Sequence, residues 1–287
     1  VPAALTEPAR RIAVVARGVS LLAGMTRPAS IHRALQASWS LLTVVVLAAA
    51  SAGAAAAESA AQPDSPAAPP PTQPASSVDA YAEFKRLFDA GEHTAAVEAG
   101  RKVVALIEQE QTQGTETLQV ALMNLGLAQQ LAGDFPGAEQ SYLRAIALIE
   151  AAGRITSPRL ARAQAGLATA YYSARRYDLA APALDRAVAL SRRSEGLFNE
   201  DQLPLLAKQA DSLTQLGQLE QALQARRYAV RLVERKHGQR SLRFAQELES
   251  LGRWYSVVAA YEASRTTLLK SLQTVEELEG PGSINLV

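Results

Sequence analysis

The chain has no cysteine, so disulfides and thiolate metal sites are excluded and composition carries no mark of the redox compartment. Large core side chains are scarce as well. Aromatic residues are 5% of the 287 positions although 48% are hydrophobic, and alanine carries much of that share. A sheet protein would draw on β-branched and aromatic residues, whereas alanine with scattered leucine suits closely approaching helices, so the expected class is all-α. Histidine is limited to His32, His93 and His237, without metal-ligand spacing or an evident nucleophile partner; each reads as a solvated residue, and no metal or cofactor is expected. A basic surplus is missing too. Five arginines against Glu7 make residues 1–57 net +4, which leaves the rest of this +1 chain at −3 and without the positive stripe that nucleic acid requires.

Residues 34–57 carry no charge. They include the apolar run from Trp39 to Leu47, follow Arg27, His32 and Arg33, and end in the small residues Ser51–Ala57. Positive start, apolar middle and Ala-x-Ala end form the layout of a secretory signal peptide cleaved after Ala57, with Met25 as the expected start, and place the protein in the periplasm or outside the cell. The rival reading is an uncleaved inner-membrane anchor, but the last third of the stretch is Ala, Gly and Ser rather than Leu, Ile and Val. Residues 58–77 are rich in Pro, Ala and Ser, lack periodicity and read as a disordered linker.

From Val78 the sequence repeats itself. The best-formed unit contains Leu122–Ala145: Leu122, Leu125, Gly126 and Gln129 lie one turn apart on a first helix, Gly133-Asp134 makes a turn, and Ala138, Tyr142 and Ala145 line a second helix. The small residue opening the second helix recurs at Ala96, Ala138, Ala180, Ala222 and Ser264, a step of 42. The same step links Phe84, Gly126, Ala168, Ala210 and Gly252, and also Leu87, Gln129, Tyr171, Leu213 and Tyr255. Three columns in one register predict five antiparallel helix pairs stacked as a solenoid over residues 78–279. Gly114, Gly153, Gly196 and Gly238 fall in the joints between units, each followed by a polar residue able to cap the next helix.

A small residue in the first helix followed by Ala-x3-aromatic in the second resembles the tetratricopeptide repeat, with Leu122 where its Trp would stand and Gln129 where its Tyr would. That repeat is commonly about 34 residues long. A 42-residue period with a glycine joint resembles its kinesin-light-chain type, which also occurs in bacterial proteins. The first unit departs from the pattern: Phe84 stands where a small residue is usual and Gly100 where an aromatic is usual.

The resemblance implies a right-handed superhelical solenoid whose concave face, lined by the first helices, holds a protein or peptide segment. Carried onto this chain, that face would present Tyr81, Lys85 and Phe88, then Met123, Leu127 and Gln130, then Arg162, Thr169 and Tyr172. Asp211 and Thr214 would follow, and after them Gln246, Glu249 and Arg253. Such a groove is apolar and aromatic at its amino-terminal end and polar at the other, although Met123 and Leu127 read equally well as packing between helices. The Lys and Asn set that clamps a carboxyl terminus in some of these proteins is not matched; Asn124 stands alone.

Catalytic chemistry has no candidate. Glu200-Asp201 and Glu276-Glu277 sit at helix ends, the first pair favouring a helix start and the second facing solvent. Arg175-Arg176, Arg192-Arg193 and Arg226-Arg227 read as solvent-facing charges, and Trp254, beside Tyr255, as helix packing. The expectation is a non-enzymatic, exported scaffold or adaptor. The alternative is an accessory or catalytic helical-repeat domain acting on a cell-envelope polymer, which would require an isolated acid in an apolar pocket. Residues 280–287 read as the start of an incomplete sixth unit, in which case Leu268, Leu269, Leu272 and Val275 leave an apolar edge open to a partner, to self-association or to a missing piece of the chain.

Overall fold

The computed structural model describes residues 76–110 and 114–280. The expected leader, the linker as far as residue 75 and residues 281–287 lie outside them. Ten α-helices follow one another with no strand among the described residues. They pair as α1 (Ser77–Asp89) with α2 (His93–Glu110), α3 (Thr115–Ala132) with α4 (Phe135–Ala151), and α5 (Pro158–Ser173) with α6 (Tyr177–Glu195). Next come α7 (Leu203–Gln215) with α8 (Leu219–His237) and α9 (Leu242–Val257) with α10 (Tyr261–Glu279). Each helix packs on the one before and the one after it, and α5 also touches α3 and α7, so the first helices stand side by side. This is an all-α solenoid of antiparallel helix pairs.

One turn closes every pair. The amides of Glu92, Asp134, Arg176, Gln218 and Ala260 return to the carbonyls of Leu87, Gln129, Tyr171, Leu213 and Tyr255 at 2.8–3.0 Å, the long bond of a Schellman motif repeated at the sequence period. Such a turn needs one residue in the left-handed region. Gly91, Gly133 and Gly217 supply it, while Arg175 (φ 58°) and Ala259 (φ 60°) adopt it at a cost of about 1 kcal/mol each. The second helix then starts on a cap where the sequence offers one: the Asp134 carboxylate accepts from the Gly137 amide at 3.0 Å.

Joints between units follow the same chemistry. Ser157 accepts from the Leu160 amide at 3.2 Å ahead of α5, and Ser241 from the Phe244 amide at 3.2 Å ahead of α9. Gly114, by contrast, begins α3 without a side-chain cap. Between α6 and α7 Asn199 caps a single 3-10 turn, Glu200–Gln202. Glu200 does more here than favour a helix start. Its carboxylate meets His237 at 2.5 Å, Lys236 at 3.1 Å and Arg243 at 3.6 Å, which ties the end of α8 to the start of α9. The His237 hydrogen bond in particular holds that carboxyl below its ordinary range. His237, expected to be solvated, is therefore a hydrogen-bond partner of Glu200.

A column that the repeat alignment leaves implicit governs how units stack: Gly100, Tyr142, Leu184, Arg226 and Leu268 on the second helices. Tyr142 is buried between two glycines, Gly126 of its own first helix and Gly166 of the next unit. A Cβ on Gly126 would stand 3.1 Å from the Tyr142 ring, and one on Gly166 only 2.3 Å. Glycine at both places makes room for the ring. The first unit inverts the pair: Phe84 of the first helix lies over Gly100, where an added Cβ would meet the Phe84 ring at 3.3 Å. Its departure from the pattern is thus a swap of large and small across one contact, with the volume conserved.

Candidate functional site

In the fourth unit the knob of this column is an arginine. Arg226 leaves α8 beside the buried Ala210 of α7 and reaches Ser250 of α9, donating from Nη1 to Ser250 Oγ at 2.9 Å. Its Nη2 donates to Asp211 Oδ1 at 2.6 Å, and its side chain is only 13% exposed. Its Nε is buried without an acceptor. Arg226 is therefore not the solvent-facing charge that the Arg226-Arg227 pair suggests. The signal was present in the sequence, because a step of 42 sets Arg226 in register with Tyr142 and Leu184, where a core residue is due.

An open pocket of about 360 Å³ lies above this guanidinium. Tyr172 of α5 and Tyr177 of α6 form one wall, edge to face at 6.0 Å. Asp211, Thr214 and Gln215 of α7 form the middle, and Ser250, Arg253, Trp254 and Val257 of α9 the other side. Tyr172 donates its hydroxyl to Asp211 Oδ2 at 3.3 Å, so one carboxylate is held from both sides. Burial and the neighbouring Asp211 push the Tyr172 phenol up to about 12, which keeps it a neutral donor. The Trp254 indole donates to Thr214 Oγ1 at 2.8 Å, and Thr214 passes its own proton to the Ala210 carbonyl at 2.7 Å. These bonds fix both side chains before any ligand arrives.

Four of the residues expected on the first-helix face, Tyr172, Asp211, Thr214 and Arg253, thus meet in one pocket. The others do not join it. Tyr81 is exposed on α1 and stacks on the buried Phe84 at 6.0 Å, with Phe88 on the far side of Phe84 at 5.7 Å; Lys85 pairs with Asp89 at 2.5 Å. Met123 packs against two core clusters, which is a structural role. Leu127, Gln130 and Thr169 are half-buried, Arg162 and Gln246 are exposed, and Glu249 pairs with Arg253. Trp254 packs in the core as expected, yet one edge also lines the pocket. Tyr177, Gln215, Arg226, Ser250 and Val257 are the lining residues that sequence reasoning missed.

Two ionisable groups near the pocket are perturbed by burial. Lys208 of α7 is held below the ordinary lysine range, with Asp211 opposing the shift. Burial raises the Glu247 carboxyl against the pull of Arg226 and Arg243. Glu247 lies in register with Ala121, Ala163 and Leu205, on the side of the first helix turned to the preceding unit, and does not line the pocket. Among the described residues no group of three His, Cys, Asp or Glu side chains could hold a metal ion, and no helix is long and apolar enough to cross a membrane.

Comparison with known proteins agrees with this geometry. Residues 116–193 match the family model described as tetratricopeptide repeat. No curated protein matches the sequence. Among solved structures, the chain is similar to the nearly identical TPR-like repeats of a Podospora anserina protein assigned as a kinesin light chain. There the identity is 18%, with 72% of this chain and 99% of the other covered at a TM-score of 0.61. It is also similar to BtubC (BKLC) from P. vanneervenii, at 13% identity over 72% of this chain and 82% of the other, with a TM-score of 0.59. Residues 116–193 thus match the tetratricopeptide repeat, and the helices from Ser77 to Glu279 have the fold of a tetratricopeptide solenoid like those of the kinesin-light-chain type.

Proposed function

We propose that the first-helix face binds a segment of a partner protein, with the pocket between Tyr172 and Arg226 taking one of its side chains. The observation that carries this reading is Arg226. Packing in that column is served by Leu184 or Leu268, yet the fourth unit spends a buried guanidinium there and holds it with Asp211, Ser250 and, through Asp211, Tyr172. A fixed polar network under aromatic walls is the arrangement of a recognition pocket. Two arginines against one aspartate in its lining favour an acidic or neutral side chain over a basic one.

The catalytic alternative needs an isolated acid in that pocket. The carboxylate lining it is Asp211, which is engaged by Arg226 and Tyr172, and Glu247 lies outside. A scaffold is therefore the better reading. Selection of peptides from a random library on the full chain tests it. Tyr172→Ala is expected to weaken the selected peptides by about 2 kcal/mol, roughly 30-fold, with smaller losses for Tyr81→Ala and Phe88→Ala and none for Tyr261→Ala. Peptides that ignore Tyr172→Ala while responding to changes on the second helices would show the wrong face has been chosen.

We also propose that the protein is exported. The support is the Arg33, Trp39–Ala50 and Ala54–Ala57 layout, which lies outside the described residues. Amino-terminal sequencing of the chain made in a Gram-negative host should find Glu58 at or near the start. A product that still begins before Trp39 would count against export by cleavage.

A further inference from the structure

We infer that the chain forms a two-fold symmetric dimer in which α10 pairs antiparallel with α10 of a second copy. The two ends of the solenoid differ in what they offer. In three earlier units the residue in register with Leu272 is Val104, Ile146 or Val188, each 7% exposed or less where the next unit packs; Leu272 is 38% exposed and Leu269 52%. Leu272 thus displays a position that the repeat buries in those three units, whereas Leu269 stands where Arg101, Leu143, Asp185 and Arg227 are exposed as well. The amino-terminal helix differs. Where α3 buries Ala121, Leu125 and Ala128 at its junction with the preceding unit, α1 carries the exposed Asp79, Glu83 and Arg86, with Glu83 and Arg86 paired at 2.8 Å. That face of the first described helix is charged. It opposes docking by the apolar α10 of another copy, and with it the head-to-tail stacking that would run on into a filament.

Pairing of α10 with itself is complementary instead. Arg265, Leu269, Leu272 and Glu276 are exposed on one stripe, at successive spacings of four, three and four residues. The stripe spans roughly 16 Å and reads the same from either end, except that its charges are opposite. An antiparallel copy centred between Lys270 and Ser271 sets Arg265 of each chain against Glu276 of the other, and Leu269 against Leu272. Lys270 and Ser271 themselves point elsewhere, Lys270 lying 5.4 Å from the centre of the Phe244 ring and Ser271 bonding the Ala245 carbonyl at 2.7 Å. Neither Arg265 nor Glu276 has an ion-pair partner among the described residues. Oppositely charged, unpartnered groups at symmetry-related positions around two exposed leucines single out a second copy as the occupant.

Sedimentation equilibrium on the full chain over a concentration series should give a dimer. Arg265→Glu or Glu276→Arg alone turns both interchain pairs from attraction to repulsion and should weaken the dimer about tenfold or more. The double variant Arg265→Glu/Glu276→Arg should restore it, with helicity unchanged throughout because both side chains are exposed. A monomer at every concentration would overturn the inference, as would a dimer indifferent to either single reversal, or a mass that keeps growing in the manner of head-to-tail stacking.

Discussion

Tyr142→Ala is expected to lower stability by about 3–5 kcal/mol, the largest single effect in the array, because it empties a slot shaped by two glycines. The ring is buried, and neither Gly126 nor Gly166 has a side chain that could swing into the void. Gly126→Phe should cost about 3 kcal/mol for the opposite reason, since a second ring would then compete for the same volume. The informative variant combines them. Gly126→Phe/Tyr142→Ala rebuilds in the second unit the exchange of large and small that Phe84 and Gly100 make in the first, so its loss should fall about 2 kcal/mol short of the sum of the single variants. Recovery stays partial because Gly166 would still face a gap. Denaturant unfolding followed by circular dichroism measures all three. Strict additivity would mean that Phe84 and Gly100 are not exchanging volume as the packing indicates.

Arg226→Leu should separate stability from binding. Removing one member of a fully buried ion pair is costly because it strands the other charge, but a partner that stays hydrated is spared most of that penalty. Leu184 and Leu268 show that leucine fits the column. Asp211 would keep the Tyr172 hydroxyl and, with its side chain 42% exposed, the solvent as well. The melting temperature should therefore hold or rise slightly. Arg226→Ala, which leaves a cavity that Leu would fill, should cost about 2 kcal/mol. Both variants should lose at least about tenfold in affinity for peptides selected on the parent chain, because the charged floor of the pocket is gone. If Arg226→Leu binds those peptides as well as the parent does, the arginine serves packing alone and the pocket assignment fails.

Tyr172, Asp211, Thr214 and Arg253 could be placed on one face because the resemblance to the tetratricopeptide repeat assigns the first helices to the concave side, and the step of 42 sets Tyr172 level with Thr214 and Asp211 level with Arg253. The three columns in register are local properties: apolar spacing within a helix, and glycine where the turn requires positive φ. With a strict step of 42 residues they determined the helical class, the pairing and the stacking order of the described units. Depth, however, depends on which neighbour arrives. Arg226 resembles its exposed neighbour Arg227 until α7 and α9 close around it, and only Asp211 and Ser250, from two other helices, make burial of a guanidinium tolerable. Met123 lies on the expected face yet packs into the core because two units converge on it. Phe84 and Gly100 look like errors of pattern in sequence and prove complementary in space. Sequence by itself decided periodicity and helical face, which are set within one or two turns of chain. The tertiary structure decided which members of a face are core, which form the pocket, and that Val275 is buried while Leu269 and Leu272 of the same expected edge are exposed, because each depends on volume and charge contributed by residues some 15 to 40 positions away.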